Sequence, residues 1–440
     1  MIPEHVSFIL DRLRRAGHRA YPVGGCVRDS LRGVTPHDWD VCTSARPEQI
    51  EQVFSERPQI DAGRKHGTIA VIVDHTPVEI TTFRADGAYL DNRHPTQVTF
   101  LTELEGDLSR RDFTINAMAL DEDERPIDLF GGRQDLENRL IRTVGDPNTR
   151  FAEDGLRILR GLRFASQLDF TIEPITARAM REGRALLQNI SAERVFSELK
   201  GILVGPAAAR ILRDYSSVFF TILPELAPME GFWQHSPYHD SDVWEHTLRS
   251  VAASPEELVY RLALLFHDCG KPACFFRDEK GIGHFYGHPQ RSREMAETAL
   301  RRLKCDSDTR ERVLYLVEKH DTWLPDTEKG MARLLLKEGA DRLKDLLIIE
   351  RCDALAHAPA ARGSALANVE RWAALLNSLL QKQPCLSLHD LAVSGKDLLA
   401  LGMAPGPQVG ALLNQMLELT AEGALPNERD TLLAFARTQI

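Results

Sequence analysis

The sequence predicts an α+β head, a mixed sheet with helices, followed by an all-α remainder. Three observations predict it. Short β-branched runs bounded by Gly, Pro and Asp crowd the first 130 or so positions. Beyond about residue 146 the apolar residues recur at three- and four-residue spacing. No apolar run approaches the roughly 20 residues of a membrane span.

A chain of 440 residues has material for several domains. Its hydrophobic content of 43% and charged content of 27% are those of a globular protein. The N-terminal residues lack a basic segment leading into an apolar core, so a cytoplasmic location is expected. The seven cysteines form no Cys-x-x-Cys pair, which predicts free thiols rather than a zinc finger or a disulfide framework. The net charge of −10 argues against a uniformly basic nucleic-acid binder. Positive charge is nevertheless local: Arg28, Arg32, Arg110, Arg111, Arg139, Arg142, Arg150, Arg157, Arg160 and Arg163 all fall early in the chain.

Residues 1–20 read as an amphipathic helix with the stripe Val6, Ile9, Leu10 and Leu13, stopped at Gly17. Residues 21–27 read as the first strand, followed by a Gly-Gly turn, a basic helical turn and a strand carrying Asp38 and Asp40. Pro47–Phe54 reads as a helix entered through Ser44 or Pro47. Thr68–Val73 and Val78–Phe83, joined by Asp74–Pro77, read as a hairpin. The basic loop Arg64–Gly67 faces either phosphate or solvent. Ile127–Gly132 reads as a strand ending in a turn, with the head closing near Val144.

The chemistry concentrates in Tyr21–Ser44. Gly24 and Gly25 let a backbone approach a bulky anion, since no Cβ intervenes. Arg28, one helical turn later, can add a guanidinium. Asp38 and Asp40 at i and i+2 share one face of a strand. Two adjacent carboxylates call for a hard divalent cation between them. A phosphate cradle beside such a pair suggests metal-assisted nucleotidyl transfer. Glu79, on the second hairpin strand, reads equally as a third carboxylate of that site or as an exposed strand residue. Farther on, Arg111, Asp112 and Asn116 fall at spacings that share a helix face and could hold a sugar hydroxyl and a triphosphate.

These strings closely resemble the polymerase-β-type signature of the bacterial tRNA CCA-adding enzymes and poly(A) polymerases (class II nucleotidyltransferases). The resemblance implies a polymerase-β-like head and template-independent addition of C, C and A to tRNA from CTP and ATP with Mg2+. It implies that Arg111 contacts nucleotide phosphate and that Asp112 and Asn116 shape the ribose side. The polar stretch Arg84–Pro95 is similar to the flexible loop that the family uses in switching from C to A addition, which argues against a C-only enzyme.

Phe151–Phe170 is the second anchor. As one helix it would set Asp154, Arg157, Arg160 and Arg163 along one side. Three arginines in register repel unless anions or carboxylates meet them. The string resembles the family's Glu-Asp-x-x-Arg motif, which implies that Asp154 and Arg157 read the base edge of the incoming nucleotide while Arg160 and Arg163 face phosphate or support that pair. Ile175–Gly205 reads as helical, with Ser191 capping one start.

From about Asp240 the character changes. His246, His267-Asp268 and Asp353 fall in order on predicted helices Trp244–Ala253, Glu257–His267 and Asp341–His357. Helices are also predicted over Pro289–Leu303 and Asp308–Trp323. The order resembles the metal pattern of HD-superfamily phosphohydrolases. It implies His246, His267, Asp268 and Asp353 as ligands of a transition ion such as Ni2+, Mn2+ or Co2+. His288 and His320 are weaker candidates, for a second metal or for substrate phosphate. In the tail, Gly395-Lys396 and the helix start after Pro407 could meet RNA phosphate or could form a packing corner.

The expected organisation is a head over 1–145, a helical neck over 146–225, an HD-like domain over 226–375 and a tRNA-contacting tail over 376–440. The leading expectation is CCA addition. An A-adding enzyme and a poly(A) polymerase share the same motifs. A metal phosphohydrolase as the main activity is the alternative of another class, and a non-enzymatic RNA-binding module is disfavoured by the two metal-type constellations.

Overall fold

The computed structural model describes residues 2–86, 98–382 and 385–440. The chain divides into two compact units, Met1–Pro224 with Arg302–Lys304, and Glu225–Arg301 with Cys305–Ile440.

The first unit is built on a seven-stranded mixed sheet. Its strands are β1 (Ala20–Val23), β2 (Asp40–Thr43), β3 (Gln59–Ile60), β4 (Thr68–Val73) and β5 (Thr76–Thr82). A separate ribbon pairs β6 (Arg84–Asp86) with β7 (Val98–Phe100). Then come β8 (Met118–Leu120) and β9 (Pro126–Asp128), and the sheet order is β3-β4-β5-β2-β1-β8-β9. Of the polar stretch Arg84–Pro95, likened above to a flexible loop, only Arg84–Asp86 lies within the described residues.

Alternation along the strands sorts two cores. On one face the helix Glu4–Arg15 lays Val6, Ile9, Leu10 and Leu13 against Val41, Val71 and Ile80, with Ile50 and Phe54 from the Pro47–Val53 helix and its end. On the other face Val23, Cys42, Phe83 and Ala119 meet Leu104 and Leu108. The predicted stripe of the first helix is therefore the buried one, and the helix ends just before Gly17, whose φ of +87° suits glycine.

Four local expectations change. The first strand stops at Val23, not residue 27, because Gly24 takes φ +88° and a helix runs over Gly25–Leu31. The helix at Pro47 is entered through Arg46, whose N–H donates to Gln49 Oε1. The hairpin turn is only Asp74-His75, both at positive φ, since Val73 pairs with Thr76. The Ile175–Gly205 region is broken: Pro174–Glu182 and Ala192–Leu203 are α-helical, with a 3-10 stretch Gly183–Asn189 between them. Ser191 occupies the cap position of the latter helix without a side-chain hydrogen bond.

The second unit is helical apart from a small hairpin of Phe276–Arg277 with Gly283–His284. Its helices Val243–Ala253, Leu258–Phe266, His288–Arg302, Ser307–Lys319 and Ala340–Ala356 match the predicted bounds within a few residues. Asp242 caps the first of them by accepting from the Glu245 N–H. The tail helices Gly395–Ala400, Pro407–Ala421 and Arg429–Arg437 close over Leu398, Met416 and Leu432. All seven cysteines are free thiols. No helix of the described residues is long and apolar enough to cross a membrane.

Candidate functional site

In the head, the sheet brings two carboxylates side by side. β2 and β5 are parallel, and Asp40 is in register with Glu79. On the other side of β2, Asp40 pairs with Val23, the residue before Gly24. The two carboxylates thus lie on adjacent strands at one level, where like charges repel. Withheld solvent raises the Asp40 carboxyl above its ordinary value, Arg111 offsets this in part, and Asp38 adds to it. The outer edge of Asp40 still reaches solvent. Burial likewise raises Glu79, and Asp40 and Asp38 reinforce the shift. Adjacent carboxylates whose charge is disfavoured by burial and by one another's neighbours fit a hard divalent cation. The head's own carboxylates are of the type that divalent metal use requires, and Glu79 stands in register with Asp40.

Asp38 departs from expectation. It precedes β2 rather than lying on it; its carboxylate meets His37 Nδ1 at 2.9 Å and is largely exposed. The reason is local: the strand begins only where Asp40 pairs with Val23 and Glu79. The tight donor groups among the described residues lie in the other unit, not at Asp38 and Asp40.

Gly24 is needed for two reasons. Its φ is +88°, and a Cβ there would come within 3.0 Å of Arg111 Nη1 and 3.9 Å of Asp40 Oδ2. Gly25 opens the helix Gly25–Leu31. Arg28 does not point freely at the turn: it pairs with Asp29 and donates from Nη1 to Asn116 Oδ1 at 2.8 Å. Arg111, Asp112 and Asn116 are not on one helix. The helix Leu104–Ser109 ends before them and Thr114–Asn116 is a 3-10 turn. They are gathered by tertiary partners instead. Asp107, fully buried, holds Arg110 at 2.7 Å and Arg111 at 3.2 Å. Burial opposes its charge, yet the two guanidinium groups keep its carboxyl below the ordinary value. Arg111 Nε retains no hydrogen-bond partner. Asp112 pairs with Arg160 at 2.8 Å, and this pairing overcomes burial to lower its carboxyl.

The second anchor is two helices, not one. Pro147–Glu153 ends at Asp154, which is extended, and Leu156–Leu168 begins after Gly155. Asp154 is therefore a hinge residue: its Oδ1 accepts from the Leu156 N–H and its Oδ2 from Arg194 at 2.7 Å. Arg157 pairs with Glu153 and donates to the carbonyls of Arg150 and Arg110. Arg163 pairs with Glu198 at 2.7 Å. Phe164 gathers three guanidinium groups, with Arg28, Arg160 and Arg163 at 5.4, 5.6 and 4.6 Å from its ring centre. The early arginines are thus met by carboxylates. Arg28 and Arg32 share Asp29, Arg110 and Arg111 share Asp107, and Arg150 and Arg157 share Glu153. Arg142, Arg160 and Arg163 each have a carboxylate of their own, and Arg139 shares Asp169 with Arg210. The carboxylates Asp29, Asp107 and Glu153, each shared by two arginines, leave positive charge in surplus in the motif segments. Asp107, Arg194 and Glu198 went unrecognised in sequence; only folding brings Arg194 and Glu198 to the site, whereas the three- and four-residue spacing of Asp107 from Arg110 and Arg111 was a local signal. The nearby basic loop is a 3-10 turn whose Arg64 pairs with Glu48 and Glu51.

The helical unit holds a second constellation. His246, His267, Asp268 and Asp353 converge as expected. His246 Nε2 lies 2.7 Å from Asp353 Oδ1 and 3.6 Å from Asp268 Oδ2. His267 Nε2 lies 3.3 Å from that Asp268 oxygen and 3.4 Å from that of Asp353. Burial disfavours the His267 imidazolium, but Asp268 and Asp353 outweigh it and raise the ring to about 10. Burial lowers His246, with Asp353 acting against it. His288 and His320 adjoin the other oxygen of Asp268. Lys271, one helical turn after Asp268, reaches its Oδ2 at 2.7 Å; sequence reasoning passed over it, though the i+3 spacing was the signal. His239 was also missed. It is driven down to about 2 by burial and by Lys271. Asp268, Asp353, Lys271, His239, His288 and His320 line a cavity of about 450 Å³ whose rim includes Trp323 and Tyr238. His284 is elsewhere, paired with Asp278.

A mixed sheet with in-register carboxylates beside a glycine turn, backed by an arginine-bearing helix, defines a nucleotidyltransferase. Residues 20–142 match the family model described as "Poly A polymerase head domain", and residues 285–436 match that of tRNA nucleotidyltransferase domain 2. The chain is 35% identical to a CCA-adding enzyme of Levilactobacillus brevis over 97% of its own length and 95% of that protein's. It is 36% identical to one from Streptococcus suis, over 98% and 95%. The solved CCA-adding enzyme of Bacillus stearothermophilus in complex with CTP is similar over 100% of this chain and 98% of that one, at 30% identity and a TM-score of 0.72. The chain belongs to the CCA-adding enzyme family.

Proposed function

We propose that this chain adds C, C and A to the 3′ end of tRNA from CTP and ATP, without a nucleic-acid template. The observation that carries the reading is the register of Asp40 with Glu79 beside Gly24, in a chain related along its length to CCA-adding enzymes. In this reading Asp38, Asp40 and Glu79 hold Mg2+, which when bound supplies Lewis-acid stabilisation for attack of the RNA 3′-hydroxyl on the α-phosphorus. Arg111, whose Nη1 lies beside Gly24 and whose Nε has no hydrogen-bond partner, takes triphosphate, and Arg28 steadies Asn116 on the ribose side. Asp112 acts with Asn116 and is held by Arg160. Asp154 and Arg157 present an acceptor and a donor fork to the base edge, with Arg194, Arg160 and Arg163 fixing their neighbourhood. A site that pairs polar edges rejects the wrong base because its own groups are left unpaired.

The proposed organisation keeps a head over 1–145 and a neck over 146–225, then an HD-like domain over 226–375 and a tail over 376–440. The boundary between compact units at Pro224 and Glu225 supports the middle division. A tRNA substrate and seven free thiols favour a cytoplasmic location.

The test uses purified protein, Mg2+ and tRNA ending before CCA, ending in C-C, or complete, each with CTP, ATP or both. Product length is read on a sequencing gel. Addition of C, C and A that then stops is expected, and Asp40→Ala should abolish it while tRNA binding persists. Addition only to the C-C form would make the chain an A-adding enzyme. Long A tails would make it a poly(A) polymerase.

The buried imidazoles and carboxylates of the second unit favour a further reading. There His246, His267, Asp268 and Asp353 hold a transition ion such as Ni2+, Mn2+ or Co2+, which when bound polarises a phosphate ester for hydrolysis. His267→Ala combined with Asp268→Ala should remove phosphoesterase activity and spare nucleotide addition. Phosphoesterase activity that survives both changes would refute this reading.

A further inference from the structure

The small hairpin of the second unit sorts its aromatic residues by strand alternation. Phe276 and His284 pair across the two strands, and Tyr286, two residues after His284, joins them on the outward face. Phe275 and Phe285 turn inward. Their ring centres lie 5.5 Å apart, Phe275 meets Phe232 at 5.3 Å, and Phe285 carries the Lys271 ammonium 5.4 Å from its centre. The inner rings thus anchor the hairpin to the unit. Its turn is pinned as well: Asp278 Oδ1 accepts from the Lys280 and Ile282 N–H groups, and its Oδ2 meets His284 Nε2 at 2.9 Å.

The outward rings form one surface. Their centres lie 5.2 Å apart for Phe276 and His284, 5.5 Å for His284 and Tyr286, and 5.6 Å for Phe276 and Tyr286. Such even spacing is that of a triangle; a column would set its end rings much farther apart than its neighbours. The planes tilt by only 17° to 40° from one another. The group faces solvent, with Tyr286 75% and Phe276 46% exposed. Apolar rings clustered at a surface mark a binding face. Near-parallel rings on a fixed β-ribbon suit unpaired bases, which stack on aromatic side chains whatever their sequence. The charges of the hairpin, Arg277 and Lys280 against Asp278 and Glu279, balance, so stacking rather than phosphate attraction must carry the affinity. Tyr286 also stands two residues before His288, which lines the cavity of about 450 Å³. Two residues of extended chain reach at most about 7 Å.

We propose that Phe276, His284 and Tyr286 form a stacking platform for the unpaired nucleotides at the 3′ end of tRNA. A peptide helix docks in an apolar groove. These residues instead offer three flat rings on a ribbon that cannot close around a side chain, which is the form that base stacking uses. The CCA-adding reading supplies tRNA as the source of the strand. The stacking itself rests on neither that reading nor the phosphoester reading of the neighbouring cavity.

The test uses the full chain, CTP in excess to fill the head's own nucleotide site, and a short single-stranded RNA whose last base is 2-aminopurine. Stacking quenches the fluorescence of that base. Phe276→Ala combined with Tyr286→Ala should weaken binding about fivefold or more and restore part of the fluorescence, whereas Tyr286→Trp should keep both. The loss should be the same at about 50 and about 200 mM salt. On the unsubstituted chain, 4-thiouridine at the end of the same RNA should crosslink within residues 276–286, a readout independent of how the variants fold. Equal affinity of parent and double variant, a loss that vanishes at about 200 mM salt, or crosslinks confined to other residues each overturns the platform. A double variant that binds RNA normally but changes its oligomeric state also overturns it and gives the face to a second copy. Stacking intact in a chain that fails to add C, C and A keeps the platform and overturns tRNA as its source.

Discussion

Asp107→Asn tests how the head aims Arg111. Asp107 has no exposed side-chain surface, and it pairs with Arg110 at 2.7 Å and Arg111 at 3.2 Å, each guanidinium less than one-fifth exposed. Removing one partner of a buried ion pair costs about 3–5 kcal/mol, because the other charge stays buried and unpaired. The asparagine oxygen still accepts one hydrogen bond and both arginines touch solvent, so about 3 kcal/mol is expected. For a unit of this size that lowers Tm by roughly 6–12 °C. The pH dependence has a definite sign. The folded carboxyl lies below its ordinary 3.8, so its contribution is present above the unfolded value and disappears as pH falls through the folded value. The gap between parent and variant should hold steady from about pH 8 to pH 5 and shrink only below about pH 4. Thermal unfolding followed by circular dichroism reads it, with nucleotide addition measured alongside. A Tm change under about 2 °C at pH 7, or a gap that widens on acidification, refutes the reasoning.

Gly24→Ala puts a Cβ 3.0 Å from Arg111 Nη1 at φ +88°, a conformation costing about 1–3 kcal/mol for a residue with a side chain. Nucleotide addition should fall about tenfold or more, and unchanged kcat/KM would show that the turn is not the cradle. Asp154→Ala removes both the Leu156 cap and the Arg194 partner, so selectivity for CTP and ATP over UTP and GTP should blur as the break before Leu156 loosens. Selectivity unchanged in single-turnover assays would separate Asp154 from base choice. Glu79→Gln relieves the repulsion across β2 and β5, so it should weaken Mg2+ dependence while stabilising the sheet by about 0.2–1 kcal/mol. Equal Mg2+ titration midpoints for parent and variant would exclude Glu79 from the site.

Much of the fold was legible because it rests on local patterning. The stripe of the first helix, the β4–β5 hairpin and the helices around His246, His267 and Asp353 follow from periodicity and caps, which short windows carry. The candidate residues were legible for a different reason: glycines, paired carboxylates and ordered His-Asp motifs name their chemistry by type and spacing. What spacing could not supply was who meets whom. Asp40 faces Glu79 because two strands far apart in sequence lie parallel in register, and no window of sequence contains that pairing. Arg111, Asp112 and Asn116 looked like one helix face, yet each is held by a partner outside that set: Asp107, Arg160 and Arg28. Asp154 looked like a helical residue, but a tertiary bond to Arg194 and a break before Gly155 made it a hinge. The early arginines looked like an open basic field until folding brought carboxylates to them, because buried charge is tolerated only when it is paired. Sequence by itself determined the class of chemistry and the residue types that perform it. Tertiary structure alone decided their partners, their protonation and, at Asp268, the sharing of one carboxylate between two sets of histidines, since those depend on distances that only packing sets.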